Sequence, residues 1–306
     1  MMNHPVEICY TITNSHAPFM VTSALSIVEN TKEPVRFHVL TENLKETDQR
    51  IIIEFFASYP NVEFNFIQVS QELKKVEGLQ LGWFQSYMPY ARIFIPELLP
   101  DMGKCIYMDS DILVDCDIKE LWSIGLESED NDYALAAALD ENVLKSPSFH
   151  PGRLNYLSDS HHYFNNGLLI INCKKWRDEQ IAGKLIDLAK ATTIRFYLPT
   201  QDLFNLYFAN SDFLLIPMEY NSMPCANEHT KNYTAKIYHF CGLGVLPFNN
   251  KFEFFWSFFT KTPYYYPLYD RVIHWKTQCE LSKRENGIER IYLKIKKICE
   301  TVLKFF

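Results

Sequence analysis

Short β-rich runs alternate with helix-patterned stretches along this chain, and that alternation constrains the fold more than any other feature. Residues 6–13 read as a strand. Residues 18–29 place Met20, Val21, Ala24, Leu25 and Val28 at helical spacing, with Pro18 suited to a first helical turn. Residues 35–41 and 62–69 read as further strands. Between them, Asn43 and Glu46 have capping-box spacing, which predicts a helix stopping near Pro60. A helical stretch is predicted over about 87–99, then apolar strands over 104–108 and 133–139. After Gly167, LLIINCKKW reads as a buried strand, followed by a helix over about 178–190. Residues 201–210 read as helix, and 212–217 and 235–240 as strands. Such alternation implies an α/β fold, a mostly parallel mixed sheet flanked by helices in the Rossmann-like manner. The Gly-rich dinucleotide turn is absent. Ligands in such sheets bind beyond the carboxyl ends of the strands, so chemistry is expected just after strands.

Composition narrows the class. Of 306 residues, 47% are hydrophobic and 22% charged, which excludes wholesale disorder. The net charge of −7 is uneven. Residues 283–306 carry seven basic and three acidic groups, a net +4 that leaves −11 for the remainder. An acidic body is a poor binder of nucleic acid, so no such partner is expected. The eight cysteines include no C-x-x-C pair, and Cys9 and Cys105 lie in apolar runs, as reduced core thiols do. No segment has the length of a signal peptide or a membrane span, which leads to the expectation of a cytoplasmic protein.

The sharpest chemical signal is Asp109-Ser110-Asp111, directly after the run Cys105-Ile106-Tyr107-Met108. In extended backbone, residues i and i+2 point the same way. Two carboxylates so placed repel unless a cation lies between them, and hard oxygen ligands select Mg²⁺ or Mn²⁺. A solvated turn is the competing explanation for such a pair; its position after an apolar strand favours a metal site.

The stretch YARIFIPELLPDMGKCIYMDSDILVDCDIKEL (90–121) resembles the family 8 glycosyltransferases, which include lipopolysaccharide galactosyl- and glucosyltransferases and the glycogenins. The resemblance continues in TSALSIVENTKEPVRFHVLTENL, YFNNGLLIINCKKWRD, TQDLFN, IYHFCG and FEFFWSFFTKTPYY, in the family's order across most of residues 6–266. It implies a GT-A fold, a UDP-sugar donor, a divalent metal (Mn²⁺ or Mg²⁺) and transfer with retention at the anomeric carbon. The acceptor it implies is a glycan or glycolipid such as lipooligosaccharide. By this resemblance Asp109 and Asp111 are metal ligands and His239 is the third. A bland strand-end histidine is the alternative for His239.

The resemblance also assigns a donor site. Thr11 lies where the family contacts base and ribose, and Arg92 matches an arginine that pairs with donor carboxylates or phosphate. An ion pair on a helix is the competing explanation for Arg92. Asp140 matches a sugar-contacting acid, and Asn165 an amide beside the reacting sugar, although FNNG also has the composition of a turn. Thr13, Ser110, Asn166 and Gly242 join the donor-binding set. Gln201 matches an amide on the face opposite the leaving group. A neutral amide is a poor nucleophile, which favours front-face substitution over the covalent route of retaining hydrolases. Asp202 is the rival, as nucleophile, buried anchor or helix-start acid.

Three positions depart from the family pattern. Thr13 and Thr200 stand where many members carry Asp, and Leu246 stands where the family places a Lys that neutralises the departing diphosphate. Lys251 or another base is the candidate to replace it. Residues 1–270 are therefore expected to form the catalytic domain and 271–306 a helical tail. In the tail, Ile288, Ile291, Tyr292, Ile295, Ile298, Val302 and Leu303 form an apolar stripe opposite Arg290, Lys294, Lys296 and Lys297. That pattern fits either peripheral contact with the inner face of a membrane or a helix docked on the domain. The run FEFFWSFF reads as core or as a stacking surface for a glycan. Two rival functions remain: a catalytically weak or inactive glycan-binding scaffold of the same fold, and a metal-dependent nucleotidyltransferase.

Overall fold

The computed structural model describes residues 4–82, 85–127, 132–140, 163–208, 213–223, 235–241 and 253–267. Gly242, Leu246, Lys251 and the tail over 271–306 lie outside the described residues.

Nine strands are described: β1 (Val6–Ile12), β2 (Val35–Thr41), β3 (Val62–Gln68), β4 (Lys104–Met108), β5 (Ile112–Val114), β6 (Leu135–Leu139), β7 (Phe164–Asn172), β8 (Phe213–Leu215) and β9 (Ile237–His239). Seven form one sheet in the order β3-β2-β1-β4-β7-β6-β8, and β5 pairs with β9 in a small second sheet. β7 runs antiparallel to both β4 and β6, and the other pairings of the main sheet are parallel. This is the mostly parallel mixed sheet the alternation predicts. All nine residues of β7 are buried, as in a strand covered on both faces.

Two apolar clusters lie on opposite faces of the sheet. Ile8, Tyr10, Ile106, Met108, Leu168 and Ile170 belong to one, and Cys9, Cys105, Tyr107, Leu169 and Ile171 to the other. That division is the period-two alternation of a strand. Helix Ala17–Asn30 covers the first face, with Pro18 in its first turn. It also holds β5 in place: Val114 N donates to Ser26 Oγ at 2.9 Å, and Asn30 Nδ2 donates to Val114 O at 3.0 Å.

Several local expectations are corrected. The capping box does not form: helix Glu46–Phe56 follows Lys45, which caps nothing. Asn43 Oδ1 instead accepts from Asn14 N, so a tertiary bond displaces the local one. The stretch expected as a helix over 87–99 is a 3-10 segment, Met88–Phe94, and a short helix, Ile95–Leu98. The helix expected over 178–190 forms as Ile181–Ala191, but the last residues of LLIINCKKW, expected as strand, open a separate helix, Cys173–Asp178, and a left-handed φ of 55° at Gln180 divides the two. FNNG is not a turn; it opens β7. In helix Glu253–Phe259, Phe255, Phe258 and Phe259 are buried in the core, and Phe254 and Trp256 pack against it. Cys9, Cys105 and Cys173 are buried free thiols, as expected of Cys9 and Cys105. No helix among the described residues is long and apolar enough to cross a membrane.

Candidate active site

The two sheets meet at the acid pair. β4 ends at Met108, and Asp109 N donates to Gly167 O at 2.7 Å, which sets Asp109 beside the start of β7. Asp111 precedes β5, whose Ile112 pairs with His239 of β9, and Phe240 N donates to Asp111 O at 2.9 Å. Three residues, Asp109, Ser110 and Asp111, thus hand the chain from one sheet to the other. The carboxylates of Asp109 and Asp111 and the His239 imidazole offer three ligand atoms within 4.8 Å of one another.

Asp109 is held by one oxygen. Its Oδ1 accepts from Arg92 Nη2 at 3.1 Å and from Tyr107 OH at 2.5 Å. Arg92 also donates to Asn166 O at 2.7 Å and to Pro89 O at 2.9 Å, and its guanidinium stacks 4.4 Å from the Tyr107 ring centre. Burial keeps the Tyr107 phenol well above its ordinary pKa, and the adjacent Asp109 carboxylate acts in the same direction, so the hydroxyl donates. Arg92 is therefore neither a surface ion pair nor an isolated cation; it braces an acid and a strand at once. Asp109 Oδ2 faces Gly167 and His239. A β-carbon added at Gly167 would meet that oxygen at 2.7 Å and His239 Cε1 at 2.3 Å.

Asp111 and His239 perturb one another at 3.4 Å. Enclosure pushes the Asp111 pKa upward, but the His239 ring, with a backbone hydrogen bond and His16, holds the carboxyl below its usual range. Enclosure likewise lowers His239, and Asp111, with help from Asp109, carries it above its ordinary value. Asn221 Oδ1 lies 3.0 Å from His239 Nδ1.

Next to this cluster is a buried network of amides and acids. β6 ends where Asp140 N donates to Tyr163 O at 2.9 Å. Asp140 Oδ2 accepts from Asn165 Nδ2 at 3.0 Å and from Gln201 Nε2 at 2.9 Å. Gln201 Oε1 accepts from Asn166 N at 3.2 Å, and Asn166 Nδ2 donates to Thr200 Oγ1 at 3.2 Å. Asp202 is fully buried: its Oδ1 accepts from Tyr163 OH at 2.5 Å, and its Oδ2 from Tyr197 N at 2.6 Å and Leu198 N at 2.9 Å. Asn205 bonds both N and O of Phe164 at 2.8 Å, docking helix Pro199–Tyr207 on β7.

The Glycosyl transferase family 8 profile matches residues 7–246 of this chain. The chain belongs to glycosyl transferase family 8. A Haemophilus influenzae protein named as a glycosyltransferase is 26% identical over 250 residues, 78% of this chain and 71% of that protein. An Escherichia coli lipopolysaccharide 1,2-glucosyltransferase is 25% identical over 219 residues, 71% of this chain but 62% of the relative's own length. Among solved structures, the galactosyltransferase LgtC in complex with donor and acceptor sugar analogs superposes with a TM-score of 0.68 at 22% identity. That match covers 84% of this chain and 96% of LgtC, and it shows the shared GT-A fold.

Among the described residues, Thr11, Thr13 and Ser110 are the remaining ones expected to bind donor in this family 8 chain. Thr11 Oγ1 is 2.9 Å from Tyr107 OH, so β1 joins the Tyr107–Asp109 chain. Thr13 Oγ1 contacts Ser15 Oγ at 2.8 Å and His16 Nδ1 at 2.7 Å. Ser110 is buried between the two acids. Sequence reasoning missed Tyr107, Gly167 and Asn221. Tyr107 lies two residues before Asp109, and strand alternation alone places them on one side. No local pattern marks Asn221.

Proposed function

We propose that the protein is a metal-dependent, retaining hexosyltransferase that moves galactose or glucose from a UDP-sugar to a glycan or lipid-linked acceptor such as lipooligosaccharide. One observation carries this reading: three hard-metal ligand atoms lie beside a buried amide–carboxylate network, at the ends of β4, β6 and β9. Two carboxylates and one imidazole suit Mn²⁺, with Mg²⁺ the alternative. The Gly167 backbone leaves between Asp109 and His239 the room that a side chain would fill. When bound, the ion supplies Lewis-acid stabilisation of a departing diphosphate.

The chain's own groups account for the rest. Arg92 and Tyr107 fix Asp109 Oδ1, which directs Oδ2 into the site. Asp140 orients the Asn165 and Gln201 amides toward the sugar side. Gln201 is neutral and Asp202 is committed to Tyr163 and two backbone amides, so neither is placed as a nucleophile. Front-face substitution fits. The acceptor oxygen bonds the anomeric carbon on the side where the bond to phosphate breaks, and its proton passes to the departing diphosphate. The names of the glucosyltransferase relative and of LgtC support the sugar and acceptor classes.

The test is a panel of UDP-hexoses with Mn²⁺, read by UDP release and by NMR of the product anomer. Turnover of at least one UDP-hexose with retention is expected. No binding or turnover with any donor, or an inverted product, sinks the proposal.

A further inference from the structure

We propose that Asn221 is a positioning residue: it fixes which His239 nitrogen faces the acid pair and ties that ligand to the sugar-side amides. The inference rests on the reading of His239 as a metal ligand. A backbone donor, Gly167 N, sets the direction of the hydrogen bonds.

Gly167 N can only donate and so fixes Asn165 Oδ1, which leaves Nδ2 as the group that Asn165 turns toward the Asp140 carboxylate, at 3.0 Å. Asn165 Oδ1 accepts from Gly167 N at 2.9 Å. The same oxygen accepts from Asn221 Nδ2 at 3.1 Å. Asn221 must therefore present Oδ1 to His239, and an amide oxygen only accepts. His239 Nδ1 carries the proton, and Nε2 is left for Asp111 and the shared ligand volume. Each amide in the series Asp140, Asn165, Asn221, His239 has one permitted orientation.

The backbone holds Asn221 as firmly as its side chain. Asn221 is 2% exposed and follows a 3-10 turn, Met218–Tyr220. Its own N donates to Met218 O at 3.0 Å. Lys236 N donates to Glu219 O at 2.8 Å, Ser222 N to Ile237 O at 2.9 Å, and His239 N to Ser222 O at 2.7 Å. Residues 219–222 thus run beside β9 in fixed register, with Ser222 bridged to Tyr238. Partners that hold the second nitrogen of a ligating histidine commonly set tautomer and ring direction, and their loss costs about 10–100-fold in metal affinity. Here the partner is also bonded to Asn165, so one side chain serves both halves of the site.

Two variants separate the two bonds. Asn221→Ala removes both. Asn221→Asp keeps an acceptor for His239 Nδ1 but puts an acceptor against Asn165 Oδ1, which Asp140 and Gly167 prevent from turning. Mn²⁺ affinity is read by the electron paramagnetic resonance signal of free Mn²⁺, folding by circular dichroism, and donor KM with the UDP-hexose that wild type turns over. Asn221→Ala is expected to bind Mn²⁺ about 10–100-fold more weakly. Asn221→Asp is expected to keep Mn²⁺ affinity near wild type while donor KM rises. Wild-type Mn²⁺ affinity in folded Asn221→Ala overturns the inference. So does a loss of Mn²⁺ affinity in Asn221→Asp, which carries the test alone if the alanine variant does not fold. Wild-type protein that binds no Mn²⁺ overturns the functional reading, and the inference with it.

Discussion

A β-carbon on Gly167 would stand 2.3 Å from His239 Cε1, closer than two non-bonded carbons can approach. The same carbon would be 2.7 Å from Asp109 Oδ2. The glycine is thus required by two side chains rather than by its own backbone angles. Gly167→Ala should force the ring or the carboxylate aside, at a cost of about 1–3 kcal/mol in stability. Mn²⁺ affinity should fall about tenfold or more while the fold persists. Isothermal titration with Mn²⁺ beside a thermal melt checks both; unchanged affinity would show that the ligands do not share this space.

Arg92 places three donors on three different acceptors and stacks on Tyr107. A lysine has the charge but not the fork. Arg92→Lys should therefore destabilise the protein by about 1–3 kcal/mol, because buried acceptors lose partners. Urea denaturation measures this directly. A stability equal to wild type would mean that charge alone suffices.

Asp202 separates two mechanisms. With Tyr163 OH and the Tyr197 and Leu198 amides on its oxygens, it anchors the start of helix Pro199–Tyr207. Asp202→Asn should lower the melting temperature, at a cost of about 1–3 kcal/mol in stability, since one of two acceptor oxygens becomes a donor and Tyr163 OH must stop donating to it. Intact-protein mass spectrometry of wild type with a slow donor analogue should show no sugar on Asp202. A hexosyl adduct there would establish a covalent route.

The Asp111–His239 pair gives a pH dependence with a definite sign. His239 is raised from 6.5, so its contribution is complete below that value and is lost as pH rises through the higher folded pKa. Asp111 is lowered from 3.8, so its contribution is complete above that value and is lost as pH falls through the lower folded pKa. In metal-free protein the pair should stabilise most between about pH 4 and 6.5. The melting-temperature difference between wild type and His239→Gln should shrink from about pH 6 to 9. With Mn²⁺ the trend should reverse, because the ligands must be deprotonated. A difference that is flat with pH would mean that the two groups do not interact.

The sheet and the acid pair were legible because both depend on local periodicity. Apolar strands followed by helices predict parallel pairing, and i, i+2 alternation predicts that Asp109 and Asp111 share a side. The same rule would have found Tyr107 had it been extended two residues back. What was not legible depends on distant chain segments. Asn43 has the spacing of a cap, yet its side chain meets Asn14 N. Gln180 is not a residue that favours left-handed backbone, so the break it makes went unseen. The asparagines of FNNG look like turn residues, but Asp140, Thr200 and Gly167 occupy their amides inside a strand. Asn221 reaches His239 only because residues 219–222 run beside β9, a pairing with no sequence period.

The central claim is that Asp109, Asp111 and His239 together hold a divalent cation for a UDP-sugar. Crystals soaked with Mn²⁺ and UDP, measured at the manganese absorption edge, test it most directly. One anomalous peak within bonding distance of all three residues, with UDP beside it, is the predicted result. Well-diffracting soaked crystals with no peak there, or with the only peak elsewhere, would contradict it.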